Sequence, residues 1–388
     1  MGKNKFKKKP GANLEDRKKR LREAAREEAR NEGKKGSKSK YSLEQLLDKA
    51  QDCIDRFEYE LAQKFCQRAL EMEPDNVRVL ETSGALLIDL GNLEGAKQCF
   101  GRAVVVSPNE GYTKYMNLGQ LFEGAQAVEC YQKGIELMIS EKEKRETEEV
   151  AAACGSDKTD ISVRNISDAY LSIAEIYMTD CCFDDDAEEK CHTSIEKAIS
   201  IDLNNPDALQ LMASFLITKE RNQEARENIK KSVNLWLPDF KASEQPEAST
   251  SMPMECSQSF ESRLAAGKIL IEVEEHELAI EVLETLLEED DENIDVWYLI
   301  GWSNHLLGED GKDNARSYLT KAKKLYVKTK CDDAELIKHI DELLESLGTG
   351  DDVMDSDIEP DDIDDAENDI IQSDDDNDDN NKHEAMDH

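Results

Sequence analysis

A chain of 388 residues with 38% hydrophobic content can bury a sizeable core, but 35% charged and only 6% aromatic residues exclude an ordinary compact globule. The formal net charge of -38 is unevenly spread: residues 1–40 carry 16 Lys/Arg against 6 Asp/Glu, residues 349–388 carry 1 against 18, and the middle is left at -31. So acidic a middle disfavours direct nucleic-acid binding and makes a basic partner the default expectation.

In chain order, residues 1–40 open with KNKFKKK and pass through RKKR at 17–20, a basic arm read as largely disordered. Its clustered Lys/Arg are also the point charges that a nuclear-import or RNA-contact segment needs. From Tyr41 the period becomes helical. Leu46, Ala50 and Cys53, then Ala62, Cys66 and Ala69, closed by Pro74, are followed by the same frame in Leu80, Gly84 and Leu87, the turn LGNLEG, then Ala96, Phe100, Ala103 and Pro108. Small residues fall where two antiparallel helices approach closely and large ones fill the gaps beside them, which is the tetratricopeptide pattern. A hairpin of this size cannot bury its apolar face alone, so an α-solenoid of stacked hairpins is expected.

The third hairpin is irregular. From Gly119 to Ala127 is 8 residues, where Gly84 to Ala96 and Ala50 to Ala62 are both 12, so one helical turn has been removed. Residues 41–140 hold repeats one to three, and 141–163 form a charged insertion expected to extend the third hairpin's second helix before becoming a loop. Repeats four and five occupy 164–240, marked by Tyr170, Ala174, Tyr177, Cys191, Ile195 and Ala198, then Leu209, Ala213, Leu216, Ala225 and Ile229. The Pro/Ser/Glu-rich stretch 241–259 reads as a flexible loop and a subdomain boundary. Residues 260–347 carry repeats six and seven, with Trp297 at the signature aromatic position, and an amphipathic capping helix. The expected fold is therefore all-α, about seven hairpins plus the cap, and the acidic tail 348–388 cannot bury enough apolar surface to fold.

No Gly-rich phosphate loop, nucleophile elbow or zinc-finger spacing occurs, so neither an enzyme nor a cofactor or metal site is expected. Ten cysteines are scattered without a C-x-x-C pair, several at packing positions such as Cys53, Cys66 and Cys99, as small core hydrophobes in a reducing compartment would be. No apolar run is long enough to span a membrane.

What remains is binding. In such a solenoid the first helix of each hairpin lines the concave face, and the positions between the packing residues are Glu44, Asp48, Asp55, Glu81, Asp89, Glu123, Asp168, Glu175 and Asp207, with Gln51, Asn117 and Gln120 as neutral members. Lys and Arg are scarce there, Arg78 and Lys268 being the exceptions. The cationic clamp with which heat-shock co-chaperones grip an acidic peptide is missing: its positions carry Leu47, Gln51, Thr82, Thr113 and Asn117.

The segments YELAQKFCQRALEMEPDN and GYTKYMNLGQLFEGAQAVECYQKGIEL, with DVWYLIGW at 295–302 and the acidic tail, resemble the dedicated assembly chaperones of large-subunit ribosomal protein four over most of Tyr41 to Leu347. The resemblance implies that the concave face holds the long basic internal loop of the newly made ribosomal protein until it reaches the assembling large subunit. It implies work in cytoplasm and nucleus. A general acidic chaperone or chromatin adaptor for histone-like tails is the alternative. Ser356 and Ser373, each with an acid three residues on, suit an acidophilic kinase.

Overall fold

The computed structural model describes residues 41–152, 161–243 and 258–348. Among the described residues it is all-α: α1 Leu43–Ile54, α2 Tyr59–Met72, α3 Val77–Asp89, α4 Leu93–Val106, α5 Thr113–Leu121, α6 Gly124–Ala152, α7 Val163–Met178, α8 Ala187–Ile201, α9 Pro206–Thr218, α10 Asn222–Asn234, α11 Leu237–Ser243, α12 Phe260–Glu272, α13 His276–Leu287, α14 Ile294–Leu306, α15 Lys312–Thr329 and α16 Ala334–Leu347. This is the tetratricopeptide-repeat solenoid expected, paired helices followed by the cap α16.

The helices start where side chains can take up orphan backbone donors. Ser42 and Ser162 form capping boxes with Gln45 and Asn165, while Asn76, Asn92, Asn205, Ser259 and Asn293 each accept a first-turn N–H. Four of the first helices, α1, α3, α9 and α12, end in a Schellman turn. Glu58, Asn92, Arg221 and Glu275 N–H donate to the carbonyls of Cys53, Leu87, Leu216 and Leu270, and the preceding residue is left-handed each time. That residue is glycine only at Gly91; Phe57, Glu220 and Glu274 hold the same positive φ despite a Cβ.

Each hairpin closes through a small residue on its first helix. A Cβ on Gly84 would stand 2.7 Å from Phe100 Cζ, and one on Gly119 2.7 Å from Tyr131 Cε2. One on Gly267 would stand 2.5 Å from Leu283 Cδ2, and one on Gly301 2.7 Å from Leu319 Cγ. The glycine is thus a socket for one large side chain of the second helix. Leu87 packs at the edge of the Ala96–Phe100–Leu118 cluster, half-buried, while Leu86 is the fully buried neighbour and joins Ala50, Cys53, Ala62 and Cys66. Among the described residues, contacts join mainly neighbouring helices, and within the second unit α9 also reaches α12, three places along the chain.

The chain divides into two compact units, residues 1–191 and 192–388, and the division falls inside α8 rather than in the 241–259 segment where the sequence suggests a boundary. In the first unit α5 has only 9 residues, the missing turn read from the spacing. Glu141 onward continues as helix α6 to Ala152. In the second unit helix continues through Pro238 to Ser243, so the loop does not begin at residue 241. Pro238 sits in the first turn of α11, where its missing N–H is not needed. The arm 1–40 and the tail beyond residue 348 lie outside the described residues.

Candidate functional site

Along α1 and its C-cap Asp55, which keeps helical backbone angles, Glu44, Asp48, Gln51 and Asp55 recur at intervals of four, three and four, so they share one face, opposite the buried Leu46, Leu47, Ala50 and Cys53. All four are exposed, and Gln51 Nε2 donates to Asp55 Oδ1 at 2.9 Å. The cation on this helix is diverted: Lys49 Nζ lies 5.1 Å from the Tyr41 ring centroid and 5.9 Å from that of Phe65 on α2. Helix α3 packs beside α1 and beside α5, and brings half-buried Glu81 and exposed Asp89 to the series.

Not every position falls where the sequence put it. Glu123 is exposed but is not on a first helix, because α5 ends at Leu121 and Glu123 stands in the short connection to α6. The missing turn moved it there. On α5, Gln120 is exposed and Asn117 Nδ2 donates back to Thr113 O at 2.8 Å. On α7, Asp168 is half-buried and Glu175 exposed. Asp207 belongs to the second unit, in the first turn of α9, and accepts from Ser262 Oγ of α12 at 2.7 Å. It is already occupied in repeat packing.

One buried cation escaped the sequence reading. Lys114 is fully buried in the first turn of α5; its ammonium donates to the carbonyls of Glu110 and, at 2.7 Å, of Gly111. Burial pulls its pKa down, opposed by the Glu81 and Glu110 charges. Across from it burial pushes the Glu81 carboxyl up, opposed by Lys114, and Glu81 Oε1 is buried without a hydrogen-bond partner. Glu81 is therefore a weaker offer to a ligand than its neighbours. Glu44, Asp48, Asp89 and Glu123, by contrast, have no ion-pair partner among the described residues.

Among the described residues no group of three His, Cys, Asp or Glu is placed to hold a metal ion, and no helix is long and apolar enough to cross a membrane. Cys53, Cys66, Cys181 and Cys191 are buried free thiols; Cys99 is only half-buried, contrary to its expected packing role. Burial pushes the Cys53, Cys66 and Cys99 thiols up, away from the reactive thiolate. Ser356 and Ser373 lie outside the described residues.

No family model matches the chain. A relative from Schizosaccharomyces pombe (strain 972), "Probable assembly chaperone of rpl4", is 33% identical over 301 residues, covering 72% of this chain and 83% of that one. Its namesake from Emericella nidulans is 27% identical over 281 residues, 69% of this chain and 66% of its own. Among solved structures, "Assembly Chaperone of RpL4 (Acl4) (Residues 1-338)" superposes with a TM-score of 0.60 at 26% identity, over 71% of this chain and 100% of that one.

Proposed function

Because the chain belongs to the family of assembly chaperones of rpl4, we propose that it takes the newly made ribosomal protein by its long basic internal loop, on the acidic face of the first unit, and escorts it to the assembling large subunit. The role is that of a binding protein. The observation that carries the reading is the set of carboxylates without ion-pair partners among the described residues, Glu44, Asp48, Asp89 and Glu123. A polycation built to be neutralised by rRNA needs a substitute for that charge while it is free, and an acidic protein face supplies it. Single exposed ion pairs are weak, about 0.2–1 kcal/mol each, so affinity must come from several acting together, with fast, salt-sensitive association.

Reversing Asp48, Asp89 and Glu123 to Lys in the full chain should weaken binding of a basic internal-loop peptide by on the order of 100-fold at low salt. The helical circular-dichroism spectrum should not change. Unchanged affinity at physiological salt would refute the assignment. A histone-tail peptide of equal charge, run alongside, decides the alternative: equal affinity for both favours a general acidic chaperone. The 16 Lys/Arg of residues 1–40 support an import receptor as a second partner and a chaperone present in both cytoplasm and nucleus. A fusion lacking that arm that still enters the nucleus would count against it.

A further inference from the structure

The second unit has a site of its own on the face formed by α14 and α16. Tyr298 and Trp302, one turn apart on α14, lie with their rings stacked, centroids 5.9 Å apart at 20°. His339 of α16 meets both edge-on, at 5.7 Å from each centroid, and its Nδ1 is 2.7 Å from the Tyr298 hydroxyl. That bond fixes the Tyr298 ring in place. In front of Tyr298 and His339 opens a cavity of about 430 Å³ whose rim is charged: Asp333, Glu335 and Glu342, with Lys338 as the single cation. Lys338 already lies 3.8 Å from Glu342, and Asp333 Oδ1 caps the start of α16 by accepting from the N–H of Glu335 and Leu336. Glu335 itself has no ion-pair partner among the described residues.

An aromatic ring lining a cavity beside an exposed carboxylate that has no ion-pair partner among the described residues suits one chemistry, a flat cation that lies against the ring while its N–H groups reach the acid. An ammonium is compact and strongly hydrated and uses the ring less well. We infer that this cavity is a seat for a single arginine side chain of a basic, extended polypeptide. The inference deepens the chaperone reading and rests on it for the source of the arginine, which would be a part of the client that the first unit does not hold. Tyr298 and His339 are 41 residues apart, so no local spacing marks the seat.

The test uses the full chain, isotopically labelled, with the Trp302 indole N–H as reporter, identified by its disappearance in Trp302→Phe. A capped Gly-Arg-Gly peptide should shift that resonance and leave the Trp236 resonance still. The isosteric citrulline peptide, which lacks the charge, should not shift it. Glu335→Gln with Glu342→Gln, both exposed and so without effect on folding, should weaken the response to the arginine peptide by about tenfold. Equal shifts from arginine and citrulline peptides, or a silent Trp302, would overturn the seat. Titration with the client's internal-loop peptide separates this from the chaperone reading. Loop binding with Trp302 silent overturns the seat alone, and a loop that fails to bind while arginine still shifts Trp302 overturns the client assignment alone.

Discussion

Gly84→Ala adds one methyl group to a helix, a change that ordinarily stabilises by about 0.5–1 kcal/mol through the lost freedom of glycine. Here the new Cβ would stand 2.7, 2.8 and 2.9 Å from three ring atoms of Phe100, where carbon contacts prefer about 3.5–4.0 Å. Phe100 is fully buried against Ala96 and Leu118 and cannot retreat. Overpacking of this kind costs about 1–3 kcal/mol, so the net effect should be a loss of about 1–2 kcal/mol. Gly101, on the facing helix α4, is the internal control, because a Cβ there meets nothing within 4 Å. Gly101→Ala should gain about 0.5–1 kcal/mol. The same chemical change one residue away from Phe100 should therefore move stability in the opposite direction. Urea unfolding followed by circular dichroism, with amide exchange in α3 and α4 to catch local opening, measures both. Phe100→Leu added to Gly84→Ala should recover part of the loss. If both glycine substitutions stabilise alike, the register of α3 against α4 is wrong.

Glu81→Gln should stabilise the chain at neutral pH. A carboxyl whose pKa is raised on folding supports the fold when protonated, an effect present below the ordinary carboxylate range and lost as pH rises through the folded pKa. The gain over wild type should fade on acidification, and a gain independent of pH in thermal melts would show that burial of the charge is not its cause. Arg263→Met should cost about 1–3 kcal/mol, because buried Arg263 donates to Thr285 O and Oγ1, both at 3.1 Å, and stacks on Phe240. Glu289→Gln, removing only its half-exposed partner, should cost less than about 1 kcal/mol, and equal losses in urea titrations would contradict that ranking. Deleting residues 351–388 should weaken client binding modestly and flatten its salt dependence, since 18 Asp/Glu lie beyond residue 348. Calorimetric titrations at two salt concentrations with equal affinities and slopes would end the idea that the tail touches client.

The hairpins were legible because their signal is local: Gly84, Gly119, Gly267 and Gly301 announce sockets, and the shortened spacing to Ala127 announces the short α5. Side-chain roles that depend on depth were not. Lys114 looks like any surface lysine in TKYMN, and only the fold shows the carbonyls of Glu110 and Gly111 wrapped around its ammonium. The spacing places Glu123 on a helix, because helix ends are set by hydrogen bonds that no period reveals. Asp207 read as free acid, yet its partner Ser262 is 55 residues away. The Tyr298–Trp302–His339 group failed for the same reason, since aromatic spacing of four is equally the mark of a packed core.

The pattern in which helices within each unit meet helices no more than three places along the chain governs how the molecule comes into being. Contacts of short sequence separation ask little loop closure of the chain, so folding should be fast for a protein of this length. Within each unit a hairpin finds its packing partner already synthesised when it appears. A polypeptide built this way can acquire structure while its own synthesis continues, with no late strand or distant segment to wait for. Its acidic first helices are thus among the earliest parts to become rigid.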